Sequence, residues 1–194
     1  MYKAVLDTCV LVPGLQRDFL LQLAAEGAYA TYWSSGVLDE LDDVLKRIDE
    51  KKKRTSHEET RSGLLRQMRR VFPGASVQAP REREYGYGLT DADDEHVLHA
   101  ALMSGSDAIV TDDQRAGLVD SAIVREASIE ILTGDEFMAN TVDAHREQAV
   151  EAVSTLYRRR RNPPAESPAA ILSHLCRSAG MAEVYALLID GLTE

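Results

Sequence analysis

The sequence predicts an α/β fold, a three-layer arrangement with a central parallel sheet covered by helices, followed by a small all-helical extension. Three observations carry this. Short apolar runs of strand character alternate with amphipathic helical stretches over roughly the first 138 residues, the pattern left by a parallel sheet with crossover helices. Two of those runs, Ala4 to Leu6 and Ala108 to Thr111, stop directly at acids, Asp7 and the pair Asp112-Asp113. After Asn140 helical stripes continue, but no further strand pattern occurs.

Ala4 to Leu6 is a buried strand with Asp7 at its carboxyl end, the edge where parallel sheets bind ligands; Asp7 could equally cap the helix that follows. Beyond Pro13, Phe19, Leu20, Leu23 and Ala24 share one helical face, and Gly27 suits the left-handed end. Tyr29 to Trp33 is rich in β-formers, and Ser34 and Ser35 are good caps for the next helix. In it Val37, Leu38, Leu41, Val44, Leu45 and Ile48 fall at helical spacing, with Glu40 bordering the stripe. Ser56-His57-Glu58-Glu59 has the form of a capping box and opens a helix with Leu64, Leu65, Met68, Val71 and Phe72 inward, stopped by Pro73-Gly74. A weak strand at Ser76 to Gln78 precedes the loop Pro80 to Gly88, where Gly86 and Gly88 around Tyr87 predict mobility. Asp91, Asp93, Asp94 and Glu95 begin a helix, where the macrodipole favours negative charge, and Val97, Leu98, Ala101 and Leu102 form its inner face. Ala108 to Thr111 and Ile129 to Leu132 are further strands, and Thr133-Gly134-Asp135-Glu136 is another capping box. In the extension, a stripe from Ala149 to Tyr157 is broken at Asn162-Pro163-Pro164, a helix starts at Ser167-Pro168, and a last one holds Val184 to Ile189. The expected division is a first domain over 1–138 and a helical extension over 139–194.

No run approaches the roughly 18 apolar residues of a membrane span, and the N-terminus lacks the basic and apolar regions of a secretory signal. Cys9 and Cys176 match no metal-ligand spacing and are expected as free thiols, so the chain is expected in the cytoplasm. The net charge of −10 hides an uneven distribution. Between Val44 and Arg70 ten basic residues face four acidic ones, a balance of +6 that leaves −16 on the remainder. A solvated helical face explains most such runs. The sharper alternative is a strip that contacts phosphates, formed by Lys51, Lys52, Lys53, Arg54, Arg66, Arg69 and Arg70.

Four acidic loci stand at strand ends or early in the following helices: Asp7, Glu40, Asp91 to Asp94, and Asp112-Asp113. In a parallel sheet these positions share one edge, so the carboxylates converge and repel unless a cation joins them. Without His or Cys at these loci, oxygen-only ligation suits Mg²⁺, with Mn²⁺ as the alternative, and the matching chemistry is metal-activated water attacking a phosphodiester.

Val5-Leu6-Asp7-Thr8-Cys9-Val10-Leu11, Val37-Leu38-Asp39-Glu40-Leu41, Asp93-Asp94-Glu95-His96-Val97-Leu98 with Ala100 and Ala101, and Ala108-Ile109-Val110-Thr111-Asp112-Asp113 follow one another in order. In these four motifs the chain resembles the PIN-domain ribonucleases, specifically the VapC-type toxins of bacterial toxin–antitoxin pairs. The helical tail is similar to the C-terminal extension of one VapC subgroup. The resemblance implies a Mg²⁺-dependent endoribonuclease that acts as a toxin on RNA, a cognate antitoxin that masks the site, and allows a homodimer. It places metal acids at Asp7, Glu40 and Asp94. For the fourth, Asp112 and Asp113 both remain, with Asp113 preferred, because Ala116 stands where many members carry a further acid. Thr8 and Thr111 are expected to orient carboxylates, Asp91 and Asp93 to cap, and His96 and His99 to pack. The rival expectation is a catalytically idle PIN scaffold that binds RNA or a protein.

Overall fold

The computed structural model describes residues 1–52, 58–159, 167–177 and 182–192. Five strands, β1 (Lys3–Leu6), β2 (Ala30–Ser34), β3 (Ser76–Val77), β4 (Ala108–Val110) and β5 (Glu130–Leu132), form one sheet in the order β3-β2-β1-β4-β5. Their pairing is parallel, with Val5 opposite Ile109 and Ile109 opposite Ile131. This is the expected central parallel sheet with flanking helices, and the helical C-terminal extension is present.

The chain divides into two compact units. One holds the sheet and comprises Tyr2–Val12 and Thr31–Leu132. Its helices are α1 (Thr8–Leu11), α3 (Ser35–Lys51), α4 (Glu58–Val71), α5 (Glu95–Ser104) and α6 (Ala122–Glu126). The central strand is wholly apolar where it is buried, Ala4, Val5 and Leu6, because helices leave it no solvent face. Helix α5 lies against β1 and β4 through Val97, Leu98, Ala100 and Ala101, and the two alanines let it approach closely. His96 is also inward, its Nδ1 2.7 Å from the Ser34 hydroxyl, while that hydroxyl accepts from the Val37 amide and caps α3. Helix α4 is tied to α3 by Arg61, which reaches Asp42 at 3.2 Å and Asp49 at 3.6 Å. Trp33 of β2 and Phe72, just beyond α4, pack edge to face.

The other unit comprises Met1, Pro13–Ala30 and the chain from Thr133 onward. In it α2 (Gly14–Ala25) packs on α8 (Arg146–Arg159), α8 on α9 (Pro168–Leu175), and α10 (Ala182–Ile189) on α7 (Gly134–Ala144). Tyr29 meets Phe137 edge to face and donates its hydroxyl to the Leu20 carbonyl at 2.9 Å. The capping box at Thr133 and Glu136 forms as the sequence indicates.

Helices α1 and α6 were not expected. Each is a single turn or little more, too short to show a period, and each is announced only by its cap, Asp7 for α1 and Ser121 for α6. Lys53, Arg54, Ser56, His57 and the break at Asn162-Pro163-Pro164 lie outside the described residues.

Gly36, in the first turn of α3, receives the chain after β3: its amide donates to the Ala79 carbonyl at 3.0 Å, and the Ser35 hydroxyl accepts from the Ala79 amide at 3.1 Å. A Cβ at Gly36 would lie 2.9 Å from the Arg81 nitrogen and 3.2 Å from the Ala79 oxygen, both backbone atoms that cannot swing aside. Gly36→Ala is therefore expected to destabilise by about 1–3 kcal/mol, read as a lower urea midpoint. An unchanged midpoint would show that the segment at 79–81 yields freely.

Candidate functional site

The strand order reverses at β1, since β2 and β3 extend the sheet to one side and β4 and β5 to the other. The crevice beyond the carboxyl ends of β1 and β4 is thus the switch point of the sheet, where open α/β folds bind ligands. Asp7 follows β1 there and Thr111 follows β4. The Asp7 amide continues the ladder to the Val110 carbonyl at 3.0 Å, and its side chain, 7 % exposed, is held from three directions. Oδ1 accepts from the Thr8 amide at 2.6 Å, while Oδ2 accepts from the Thr111 hydroxyl at 2.7 Å and the Cys9 thiol at 3.2 Å. Asp7 therefore caps α1 while standing in the crevice at the end of β1. Burial pushes its pKa up, the three donors pull against that, and Glu40 adds to the rise.

Glu40, on α3, accepts from the Thr8 hydroxyl at 2.8 Å. Thr8 and Thr111 thus orient carboxylates as expected. Asp94 stands at the cap of α5 but makes no side-chain cap bond; the 3-10 turn before it is capped by Asp91, which accepts from the Asp93 amide at 3.0 Å. The Asp94 carboxyl is pushed up to about 7, first by burial and then by the charges of Asp7, Asp91, Asp113 and Glu40. The four acids expected to act together therefore sense one another. Asp113 differs in its partner: its carboxylate takes the Arg115 amide at 2.8 Å, Nε at 3.2 Å and Nη2 at 3.0 Å, and Arg115 holds its pKa below the usual range. Asp112 is exposed, and its amide donates to the Cys9 sulfur at 3.1 Å.

The roles of four neighbours escaped sequence analysis. Cys9 joins Asp7, Thr111 and the Asp112 amide, and its thiol is pushed up to about 12 by burial and by Asp7, so it stays protonated as a donor. Arg81 donates to Asp93 at 3.1 Å and feels Glu40 and Asp94. Arg115 neutralises Asp113. Glu95, buried at the start of α5, accepts from the Gly88 amide at 2.7 Å and the Leu89 amide at 3.3 Å. Burial would raise its pKa, but the backbone amides of residues 86–89 outweigh this and lower it. The loop that two glycines marked as mobile is thus fastened to α5, because Gly86 and Gly88 at φ of 73° and 72° turn its amides toward one carboxylate. That Gly-Tyr-Gly spacing next to an acid-rich helix start was the available signal.

Of the basic strip, Lys51 and Lys52 are exposed at the end of α3, and Arg66, Arg69 and Arg70 are exposed on α4 at positions that share a face.

Among the described residues no group of three or more His, Cys, Asp and Glu side chains is placed to hold a metal ion. The donor set nonetheless fits a hard divalent cation in its chemistry: the four acids offer oxygen only, and burial together with the neighbouring carboxylates keeps a proton on Asp94 to near neutrality. The sign of the linkage follows. The folded pKa lies above the unfolded value of 3.8, so the folded chain gains relative stability below that value and loses it as pH rises through about 7. In chelator, Asp94→Asn should gain melting temperature on the wild type as pH is raised from about 4 to 8. Parallel melting curves across that range would refute the coupling.

The PIN domain family matches residues 3–115, which include β1 to β4 and all four acidic motifs. A search of curated proteins found no significant match, and a search of solved structures found none. No helix among the described residues is long and apolar enough to cross a membrane. The match covers more than half of the chain, which therefore belongs to the PIN-domain family, whose members are generally nucleases acting on nucleic acid.

Proposed function

We propose that this chain is a Mg²⁺-dependent endoribonuclease that acts in the cytoplasm as the toxin of a toxin–antitoxin pair, with Mn²⁺ as an alternative ion. The observation that carries the nuclease reading is the gathering of Asp7, Glu40, Asp94 and Asp113 at the switch point of a PIN-family sheet. These four, with Asp112 as the alternative to Asp113, would hold the ion. Bound there, Mg²⁺ would activate water for attack on a phosphodiester and steady the leaving oxygen.

The chain's own residues do the rest. Thr111, Cys9 and the Thr8 amide lock the Asp7 carboxylate, and the Thr8 hydroxyl locks Glu40, so two ligands would need no reorientation. Without the ion Asp94 keeps its proton to near neutrality and would give it up on binding, so ion affinity should rise with pH through about 7. Asp113 must exchange Arg115 for the ion, which Arg115, exposed on its flexible stem, leaves open. Lys51, Lys52, Arg66, Arg69 and Arg70, together with Lys53 and Arg54, would contact phosphates along the strand. The subgroup likeness adds an antitoxin partner and allows a homodimer.

The bond between Asp113 and Arg115 favours a second reading, an idle PIN scaffold that binds RNA or protein without cutting. Asp7→Asn separates the two. In the nuclease reading, wild type cuts single-stranded RNA, loses this in chelator, and gains thermal stability with Mg²⁺. The variant loses cleavage by orders of magnitude and gains little stability from the ion. Expression of the wild-type gene arrests growth, expression of the variant does not, and co-expression of the neighbouring gene relieves the arrest. A variant that cuts near the wild-type rate would overturn the assignment.

Replacing Lys51, Lys52, Arg66, Arg69 and Arg70 with Gln should weaken RNA binding and flatten its dependence on salt, since counterion release scales with the phosphates contacted. Equal slopes in a salt titration of both proteins would return these residues to a solvated face.

A further inference from the structure

Between β3 and α5 the chain builds a cluster that the acid site does not use. Tyr85, Tyr87 and His99 are each part-exposed and lie ring against ring. Tyr85 is 4.6 Å from His99 at 36°, Tyr85 is 6.0 Å from Tyr87 at 14°, and Tyr87 is 6.1 Å from His99 at 24°. The guanidinium of Arg83 stands 5.3 Å from the Tyr85 ring centre. The aromatic pairs inside the protein are built otherwise: Trp33 with Phe72 and Tyr29 with Phe137 meet edge to face, at 89° and 85°. Near-parallel rings at the surface are the arrangement that another flat ring can extend.

We propose that Tyr85, Tyr87 and His99, flanked by Arg83, form a platform on which an unpaired base of the RNA strand stacks as that strand enters the carboxylate site. The proposal rests on the nuclease reading of that site. Four observations support it. His99 follows the cap residue Asp94 by five positions, about 7.5 Å along the axis of α5 and about 140° round it, so a strand that wraps the start of this helix can meet both. The hydroxyls are already engaged, Tyr85 with the Pro80 carbonyl at 2.9 Å and Tyr87 with His99 Nδ1 at 2.7 Å, so ring faces are what the cluster offers. The loop is fixed at both ends, by Arg81 on Asp93 and by Glu95 on the Gly88 and Leu89 amides, so little ordering entropy remains to be lost on binding. Arg83 supplies a cation that can stack on a base or meet the adjoining phosphate of an otherwise acidic surface. Bases within a duplex already stack on each other, so the platform selects single strands, and stacking without hydrogen-bond readout makes it tolerant of sequence.

The test uses the full chain carrying Asp7→Asn in Mg²⁺, so that RNA is not cut, and fluorescence anisotropy with two labelled probes. One is a single-stranded RNA, the other an abasic strand of equal length and charge. Adding Tyr85→Leu should weaken RNA binding about tenfold, the loss of one stacked base, and leave abasic binding unchanged. Tyr85→Trp should bind RNA at least as well as the parent. Equal RNA binding by Tyr85→Leu, or equal losses on both probes at an unchanged melting temperature, overturns the platform. If Tyr85→Leu does not fold, the Trp variant decides, and a folded Trp variant that binds RNA tenfold more weakly overturns it as well. Cleavage by the wild type is assayed beside this. Its absence would overturn the nuclease reading, while the two-probe comparison would still decide the platform.

Discussion

Placing a carboxylate at the end of a central strand, with only 7 % of its surface in water, is costly unless donors replace the lost hydration. Asp7 finds them in the Thr8 amide, the Cys9 thiol and the Thr111 hydroxyl, and each fixes something larger. The Thr8 amide is available because the chain turns at once into α1. The Thr111 hydroxyl is available because β1 and β4 pair in the register that sets Val5 opposite Ile109. A slip of one residue would turn the alternating side chains to the opposite face and leave the acid without its partner. Strand register, helix start and site acid are therefore one solution to one solvation problem.

Once Asp7 is fixed, the remaining acids cannot be indifferent to it. Asp94 shows this in its raised pKa, and the two arginines that border the group answer it from the rim, Arg81 through Asp93 and Arg115 through Asp113. Neither arginine touches Asp7. Among the described residues, charge compensation thus reaches the edge of the cluster and not Asp7 at its centre. The surplus of lysine and arginine that could have served is spent on α3 and α4, where Arg61 alone is absorbed into packing. Such a separation of signs suits a polyanion that must be held along its length while one of its phosphates approaches acids with a counterion.

The sheet and most helices were legible because they depend on patterns that survive in one dimension: apolar runs ending in acid, stripes at helical spacing, and caps at Ser34 and Thr133. The site was legible as residue types and not as pairings. Asp7, Glu40 and Asp94 announce themselves at strand and helix ends, but nothing local says that Arg115 two positions on takes the Asp113 carboxylate, since the same side chain could as well face solvent. Likewise Gly86 and Gly88 read as freedom, when their left-handed backbone is what aims amides at Glu95. Positive φ lowers the barrier to a bend; only the buried partner decides whether the bend is loose. Helices of one turn leave no period to read, which is why α1 and α6 were invisible.

The bond from Thr111 to Asp7 spans 104 positions of sequence, and β1 reaches its neighbour β4 only after β2, β3 and the helices α1 to α5 have been laid down. Pairings of such long separation come late in folding, because the chain between them must first be closed into a loop. During synthesis from the N-terminus, β1 can meet β2 early, but its other edge waits for β4, and until then Asp7 has neither the Thr111 hydroxyl nor Asp113 near it. Chains that stop short of β4 lack the Thr111 hydroxyl and Asp113 alike, so the acid edge is completed only after the ribosome has passed residue 113.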